Sequence, residues 1–273
     1  MGPIGSTKTT VSLFKLAYHA SKIAPCPDGI RRSRAMIVRN TIEQLKDSTI
    51  PDFLQWFPDK IAGEWLKSER RFILKFSDVE CEVLFRSLDT PADVRKVLST
   101  QLTFVFMDEF RELPRAVFEG LQGRLRRYPS RKLNGVGAVD DEGNRCSFLW
   151  GCSNPPDMDT FWEKFLTNPP DDTHVTIQPS GLSPEADWVG PPYVDTTYYK
   201  DLAVGKSPMW VSVYIEGKFG QSQAGEPVHS SFRRTFHVSP TPLNPIPMSD
   251  FPIICSFDFG LMPACIIGQR DHM

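Results

Sequence analysis

A glycine-rich segment at the start of the chain constrains the fold more than any other feature of the sequence. It runs from Gly2 to Thr9 and leads directly into apolar residues at helical spacing between Thr9 and Ile23. Loops of this kind direct successive backbone amides at phosphate oxygens, and the helix that follows adds the positive end of its dipole. The segment therefore predicts a phosphate-binding loop of the Walker A type.

The individual positions of this loop have expected roles. Lys8 is expected to reach the terminal phosphates of a nucleotide, and the hydroxyl of Thr9 is expected to bind Mg2+. Thr7 stands where such loops usually carry a second glycine, and a β-branched residue resists the positive φ that glycine accepts. A coincidental glycine-rich turn is therefore the alternative interpretation of the loop alone. The expected nucleotide-binding residues are Gly2, Gly5, Ser6, Thr7, Lys8, Thr9 and Thr10.

A second motif ends an apolar run later in the chain. Leu102 to Met107 has the composition of a strand buried on both faces, and it is followed by two adjacent acids, Asp108 and Glu109. Unpaired buried charge is costly, whereas a metal ion and an attacking water would account for both acids. We expect Asp108 to bind Mg2+, directly or through water, and Glu109 to polarise the water that attacks the γ-phosphate of ATP. The alternative is that both acids cap a helix beginning near Pro114.

Strand and helix patterns alternate along the first part of the chain. This alternation predicts an α/β fold with a P-loop NTPase-type parallel sheet flanked by helices, and it predicts active loops at the carboxyl ends of the strands. The predicted strands are 34–39, 72–76, 80–86, 102–107 and 146–152, and the predicted helices are 9–23, 41–54, 114–127, 198–202 and 210–214. A further apolar strand begins at Ile253 and places Asp258 near its end.

Charge and cysteine content limit the remaining possibilities. The net charge of −2 provides no global field for nucleic acid, so contact with DNA must come from local patches. Two arginine-rich groups could provide such patches, although solvated surface is the commoner role of such runs. These groups are Arg31, Arg32 and Arg34, and Arg124, Arg126, Arg127, Arg131 and Lys132. The six cysteines have no zinc-site spacing and are expected to be reduced, mostly buried thiols. The longest apolar stretch, 251–268, is interrupted by Asp258, so a membrane span is not expected.

The order of seven segments resembles the large terminase subunit of tailed double-stranded DNA bacteriophages, which packages the genome into a procapsid. These segments are Gly2 to Thr9, Arg39 to Thr41 with Leu45 and Ser48, Phe85 to Asp89, Asp108 with Glu109, Ser153 to Pro156, Tyr214 to Gly220, and Ser256 to Gly260. Each segment alone is weakly specific, whereas the seven in this order are fairly specific, and they extend over most of the chain.

The resemblance implies an ATPase followed by a nuclease with an RNase H-like fold. Residues 1–225 are expected to form the ATPase domain without its first strand, 226–250 a proline-rich linker, and 251–273 the first strands of a truncated nuclease domain. Asn154 would belong to the motif that couples the γ-phosphate to movement along DNA. Arg95 is the preferred candidate, ahead of Arg124 and Arg126, for the arginine that such motors supply to the phosphates, often from an adjacent subunit. A surface salt bridge is the commoner role of any one of these arginines. Asp258 would be the first metal-binding carboxylate of the nuclease, which needs two divalent metals and is expected to be incomplete here.

The resemblance also implies the cellular role and the partners. The chain would be an ATP-hydrolysing motor subunit that acts on double-stranded DNA, together with a portal protein and a small terminase subunit. A complete protein would form a homo-oligomeric ring in the host cell cytoplasm, with no membrane partner. Another P-loop nucleic-acid translocase, such as a helicase-like or AAA-type ATPase, is the alternative among enzymes. A degenerate nucleotide-binding fragment without turnover is the non-enzymatic alternative.

Overall fold

The sheet predicted from the alternation of strands and helices is present in the computed structural model. The structure describes residues 1–88, 95, 97, 99–220, 253–258 and 264–269. The chain forms two compact units, Met1–Gln223 and Ala224–Met273. The first unit contains a six-stranded mixed sheet, and the second contains a two-stranded antiparallel sheet.

The strands of the first unit have the order β2-β3-β4-β1-β5-β6 across the sheet. Their bounds are β1 (Arg31–Arg39), β2 (Gly63–Leu66), β3 (Arg71–Phe76), β4 (Val79–Ser87), β5 (Phe104–Asp108) and β6 (Phe148–Cys152). Strands β4, β1, β5 and β6 are parallel, whereas β2, β3 and β4 form an antiparallel meander. In the register of the parallel strands, Met36 pairs with Val105 and Asp108 pairs with Cys152. This arrangement confirms the predicted α/β sheet.

Helices flank this sheet. They are α1 (Lys8–Ala20), α2 (Ile42–Gln44), α3 (Ile50–Trp56), α4 (Arg115–Gln122), α5 (Arg131–Asn134), α6 (Phe161–Thr167), α7 (Tyr198–Ala203) and α8 (Pro208–Tyr214). A π-helical segment, Leu45–Thr49, joins α2 to α3, so the helix predicted at 41–54 is present in three segments. Short 3-10 helices occupy Lys67–Glu69 and Phe110–Glu112. Thr41 begins α2 with a capping box, in which it exchanges side-chain hydrogen bonds with Gln44.

The hydrophobic core lies on both faces of the sheet, as expected for parallel strands. On one face, Phe104 and Phe106 of β5 belong to the cluster that includes Leu13, Leu16 and Phe53 from α1 and α3. On the other face, alternate residues of β5 pack with the apolar sides of α4 and α6. Every residue of β5 is buried, and the prediction of a strand buried on both faces is therefore confirmed.

Several element boundaries differ from the predictions by a few residues, and hydrogen bonds explain two of the differences. Helix α4 ends at Gln122 rather than at 127, because the chain beyond Gly123 bonds to the segment before β5. Leu102 donates its amide to the Arg124 carbonyl over 3.0 Å, and Arg127 donates to the Leu102 carbonyl over 3.3 Å. Strand β6 begins at Phe148 rather than at 146, because the amide of Cys146 bonds to the Ala138 carbonyl outside the sheet.

The second unit contains β7 (Ile253–Asp258) and β8 (Ala264–Gln269), with Ile253 opposite Gln269. The strand predicted from Ile253 is therefore present, whereas the predicted linker 226–250 lies outside the described residues. Cys26, Cys81, Cys146 and Cys152 are buried and unbonded to sulfur, whereas Cys255 is exposed. Among the described residues, no helix has both the length and the hydropathy needed to cross a membrane.

Candidate active site

The glycine-rich segment forms a curled loop beside the carboxyl end of β6. Gly2 donates its amide to the Ser153 carbonyl over 3.2 Å, and Ile4 donates to the Tyr214 carbonyl over 2.8 Å. Gly5 (φ 70°) and Thr7 (φ 58°) both adopt the left-handed conformation, and α1 begins at the next residue. Backbone turns of this type direct amides into an anion-binding concavity. Thr7 therefore takes the conformation of the usual glycine despite its β-branched side chain.

The loop is held from outside by residues that the sequence analysis did not identify. The Gln178 side chain donates to the Ser6 carbonyl over 3.0 Å and accepts from the Ser6 hydroxyl over 2.6 Å. Tyr199 donates its hydroxyl to the Ile4 carbonyl over 2.6 Å. A Cβ atom at Gly2 would overlap the Gln178 side chain, so the absence of a side chain at Gly2 allows this approach. Gln178 lies in a loop without any local pattern, and no sequence signal could have identified it.

Lys8 connects the loop to the residues that follow β6. Its ammonium group donates to the Pro3 carbonyl, to the Ser6 hydroxyl over 3.3 Å and to the Asn154 side-chain oxygen over 3.2 Å. Burial lowers the pKa of Lys8, and the negative charge of Glu109 opposes that effect. The structure thus places the predicted phosphate-binding lysine against the predicted coupling asparagine.

Asp108 joins the acidic strand end to the glycine-rich loop. Its carboxylate is 2 % exposed, and its Oδ1 atom accepts a hydrogen bond from the Thr9 hydroxyl over 3.2 Å. Its Oδ2 atom accepts from Arg39 Nη1 over 2.8 Å and from the Thr49 hydroxyl over 2.7 Å. The sequence analysis did not identify Arg39 or Thr49 as partners of this acid, because they come from β1 and the π-helical segment. The carboxylate is thus fixed through one oxygen, and the other oxygen faces Thr9.

The oxygens of Thr9 and Asp108 fit a magnesium ion. Mg2+ binds oxygens at 2.0–2.1 Å in octahedral geometry, so two adjacent ligands lie about 2.9 Å apart. The 3.2 Å between Thr9 Oγ1 and Asp108 Oδ1 is close to that separation. Magnesium sites of nucleotide-binding proteins usually use one or two protein ligands, with waters and phosphates completing the shell. Cys152 lies 3.6 Å from the same Oδ1 atom, and burial raises the pKa of its thiol to about 12, so this cysteine stays protonated at neutral pH.

Glu109 lies next to the turn that follows β6. Its Oε2 atom accepts hydrogen bonds from the Ser153 hydroxyl over 3.1 Å and from the Asn154 amide over 3.3 Å. Its backbone is left-handed (φ 50°), which is uncommon for a residue other than glycine. Its side chain makes no capping bond to the 3-10 helix that follows, and Pro114 is the residue that precedes α4. The alternative that these acids cap a helix is therefore wrong.

Arg111 is a further residue of the site that the sequence analysis missed. Its Nε atom lies 3.9 Å from Glu109 Oε2, and its Nη1 atom donates to the Pro155 carbonyl over 3.2 Å. Its Nη2 atom donates to the Tyr214 hydroxyl over 3.0 Å, and the guanidinium lies over the Tyr214 ring. Arg111 thus links the acid to the turn after β6 and to α8.

The other predicted site residues take no part in the contacts given above for the described residues. Arg95 has helical backbone and an exposed side chain, and no recorded contact joins it to the described site residues. Arg124 and Arg126 lie near the start of β5, at the end of that strand opposite Asp108. A role for either of them at the phosphates of an adjacent subunit stays a prediction. Thr10 belongs to the first turn of α1. Asp258 ends β7 in the second unit, and its side chain lies outside the described residues.

Three solved structures of a bacteriophage large terminase have a fold similar to that of this chain. The large terminase of a thermophilic bacteriophage in one crystal form matches with a TM-score of 0.62 at 14 % identity, over 93 % of this chain and 55 % of that chain. The same terminase in complex with ADP matches with a TM-score of 0.61 at 13 % identity, over 99 % and 59 % of the two chains. Its complex with ATP-gamma-S matches with a TM-score of 0.58 at 13 % identity, over 95 % and 55 %.

These similarities show the fold alone, because the identities are low. This chain spans between 55 and 59 % of the length of those terminase chains. No family model matches the sequence, and no curated protein matches it. The six-stranded, mostly parallel sheet flanked by helices thus has the architecture of a terminase ATPase domain.

Proposed function

We propose that this chain is the ATP-hydrolysing part of a terminase-type motor that packages double-stranded DNA. One observation carries the proposal: the Thr9 hydroxyl at the end of the phosphate loop lies 3.2 Å from Asp108 at the end of β5. A loop and an acidic strand end that act on one nucleotide must meet in this way, because a single Mg2+ contacts both. The terminase-like fold and the ADP and ATP-gamma-S complexes of the similar structures support the same proposal.

The loop would bind the triphosphate of ATP. The left-handed residues Gly5 and Thr7 curl the backbone, and α1 directs its first amides and the positive end of its dipole toward the same space. Lys8 would exchange its contacts with the Pro3 carbonyl and the Asn154 side chain for phosphate oxygens, which are stronger partners because they are charged. Thr9 and Asp108 would hold Mg2+, which would neutralise charge on the phosphate oxygens.

Glu109 would orient the water that attacks the γ-phosphate. Its Oε2 atom is held by Ser153 and by the Asn154 amide, so its other oxygen can accept a proton from that water. A bond forms between the water oxygen and the γ-phosphorus while the bond to the leaving oxygen of ADP breaks. The products are ADP and inorganic phosphate. An arginine from a neighbouring subunit, with Arg95 as the candidate, would add positive charge in the transition state.

Asn154 would couple the presence of the γ-phosphate to the conformation of the rest of the first unit. Its side-chain oxygen accepts from Lys8, and its backbone amide donates to Glu109. The adjacent Pro155 accepts from Arg111, which reaches Tyr214 of α8. Loss of the γ-phosphate would change the Lys8 and Glu109 contacts, and the turn would pass that change to α8.

The remaining roles follow from the resemblance to terminases. The partners would be double-stranded DNA, a portal protein, a small terminase subunit and further copies of the protein in a ring, in the host cytoplasm. Asp258 would be the first metal-binding carboxylate of a two-metal nuclease. Incubation of supercoiled plasmid with this chain and Mn2+ tests the expectation of an incomplete nuclease, because nicking of the plasmid would contradict it.

The replacement of Glu109 by Gln tests the proposed ATPase. We expect E109Q to lose about 10²- to 10⁴-fold in turnover, the range for removal of a general base, and to bind ATP with unchanged affinity. The matched control is E119Q, because Glu119 is an exposed acid of α4 that pairs with Arg115. Undiminished hydrolysis by E109Q would remove Glu109 from this role. ATP binding without turnover by the unmodified chain would instead favour a degenerate nucleotide-binding protein.

A further inference from the structure

An open cleft of about 710 Å³ lies near the amino ends of β5 and β6. Four arginines line it: Arg126, Arg127, Arg131 and Arg145. The segment that carries Arg126 and Arg127 is fixed to the sheet, because Arg126 donates its amide to the Ser147 hydroxyl over 3.0 Å. We call this surface the arginine cleft.

The arginine cleft is separate from the candidate active site. It adjoins Leu102, whose carbonyl accepts from the Arg127 amide, whereas the active site adjoins Asp108 at the other end of β5. Strand β5 runs from Phe104 to Asp108, so its four residue steps, about 13 Å at 3.3 Å per residue, separate the two places. A ligand of the arginine cleft is therefore a different molecule from the nucleotide, or a different part of a large one.

The positive charge of the arginine cleft is not neutralised within the described residues. All four arginines are exposed, and no described carboxylate lies within 4.0 Å of their guanidinium groups. The acidic side chains of the adjacent loop, residues 140–142, bind other partners. Asp141 pairs with Arg31 over 2.8 Å, Asp140 accepts the amides of Glu142 and Asn144, and Glu142 accepts from the Asn144 side chain.

Arg126 holds an unfavourable backbone conformation at this cleft. Its φ is 64°, in the left-handed region that glycine adopts without strain. The surrounding contacts maintain it, because the Ser147 hydroxyl that accepts the Arg126 amide donates in turn to the Thr103 carbonyl over 2.6 Å. Strained residues of this kind are concentrated at functional sites. The presence of an arginine at a backbone position suited to glycine is thus a second observation that favours a ligand at the arginine cleft.

We propose that the arginine cleft binds the phosphodiester backbone of double-stranded DNA. Guanidinium groups match phosphate oxygens in a bidentate manner, and four of them along an open cleft match a row of phosphates better than one small anion. No aromatic side chain lines the cleft in the described part of the chain. Single-stranded nucleic acids are usually held by stacking on aromatic rings, and protein interfaces are enriched in them, so this lining favours a duplex backbone.

The inference rests on the DNA partner of the proposed function, and it can fail independently of the ATPase. The test measures binding of a short fluorescent DNA duplex by anisotropy over a series of salt concentrations. The variant R126Q/R127Q/R131Q/R145Q removes the four charges. The control K46Q/K67Q/K200Q/K206Q removes four exposed lysines elsewhere, so the net charge of the two proteins is equal.

We expect the plot of log affinity against log salt to flatten by about 3.6 in the arginine variant, which is 0.9 for each lost phosphate contact. The lysine control should keep the original slope. The single variants R131Q and R145Q should each reduce the slope by about 0.9, and they test the proposal even if the quadruple variant does not fold. ATP turnover without DNA should remain normal in R131Q and R145Q, which separates this result from a failed ATPase.

Three results would overturn the proposal. An unchanged salt slope in the arginine variants would show that DNA binds elsewhere. An equal decrease in the lysine control would show that only net charge matters. Normal DNA binding combined with loss of self-association in sedimentation would assign the arginine cleft to an acidic surface of a second copy.

Discussion

Arg39 Nη1 donates to Asp108 Oδ2 over 2.8 Å, and this ion pair joins the ends of the adjacent parallel strands β1 and β5. The carboxylate is 2 % exposed and the arginine side chain is 15 % exposed, so water screens the pair weakly. Because Oδ2 accepts hydrogen bonds from Arg39 and Thr49, the Oδ1 atom is the one that faces the Thr9 hydroxyl. Arg39 therefore positions the proposed magnesium ligand.

Removal of Arg39 should destabilise the protein strongly. We expect R39Q to lower the free energy of unfolding by about 3 kcal/mol, because it leaves a buried carboxylate without its counter-ion. The control is R32Q, which removes a more exposed pair with Asp28 and should destabilise the protein much less. Urea denaturation measures both. Equal losses in the two variants would show that burial of the Asp108 pair has no special energetic role.

Replacement of Thr7 by glycine should stabilise the loop. Relief of a left-handed β-branched residue is worth about 1–2 kcal/mol, and the added freedom of glycine in the unfolded chain offsets about 0.5–1 kcal/mol of it. We expect T7G to raise the free energy of unfolding by about 0.5–1 kcal/mol. T10G, within α1, should instead lower it by about 0.3 kcal/mol. A loss of stability in T7G would contradict the strain at φ 58°.

The contribution of Lys8 to stability should depend on pH. Burial lowers the pKa of Lys8 below its ordinary value of 10.5. Between the two pKa values the unfolded chain binds more protons than the folded chain, so stability attributable to Lys8 rises with pH in that window. We expect the unmodified protein to gain stability relative to K8M as the pH increases toward 10.5, as measured by denaturation at several pH values. K46M, at an exposed lysine, is the control. Parallel curves for the native protein and K8M would refute the effect.

Arg111 should affect catalysis more than substrate binding, if the proposed ATPase is correct. It lies 3.9 Å from Glu109, and its hydrogen bonds go to the Pro155 carbonyl and the Tyr214 hydroxyl rather than to the loop 2–9. We expect R111Q to lower kcat about 10-fold, as is typical for residues that orient a catalytic group, with little change in KM. R115Q, which removes an exposed pair of α4, should have normal kinetics. A large increase in KM with normal kcat would assign Arg111 to nucleotide binding instead.

The elements that carry the site were predictable because their signals are local. The glycine spacing from Gly2 to Gly5, the apolar run before Asp108 and the turn at Asn154 each depend on neighbouring residues only. The order of strand and helix patterns was sufficient to predict a parallel α/β sheet. The helix ending near residue 127 was wrong because the bonds that end it come from Leu102, which no local pattern could indicate.

Local sequence patterns were therefore enough to identify the segments that form the glycine-rich loop, the acidic strand and the turn after β6. The contacts between these segments depend on residues that are far apart in the chain. Gln178 holds Ser6 from 172 positions away, and Arg111 reaches Tyr214 from 103 positions away. The arginine cleft likewise combines residues from two separate segments. The order and register of the strands determine which of these distant residues come into contact. Strand order and register depend on packing over the whole sheet, whereas a sequence pattern reflects only the preferences of adjacent residues.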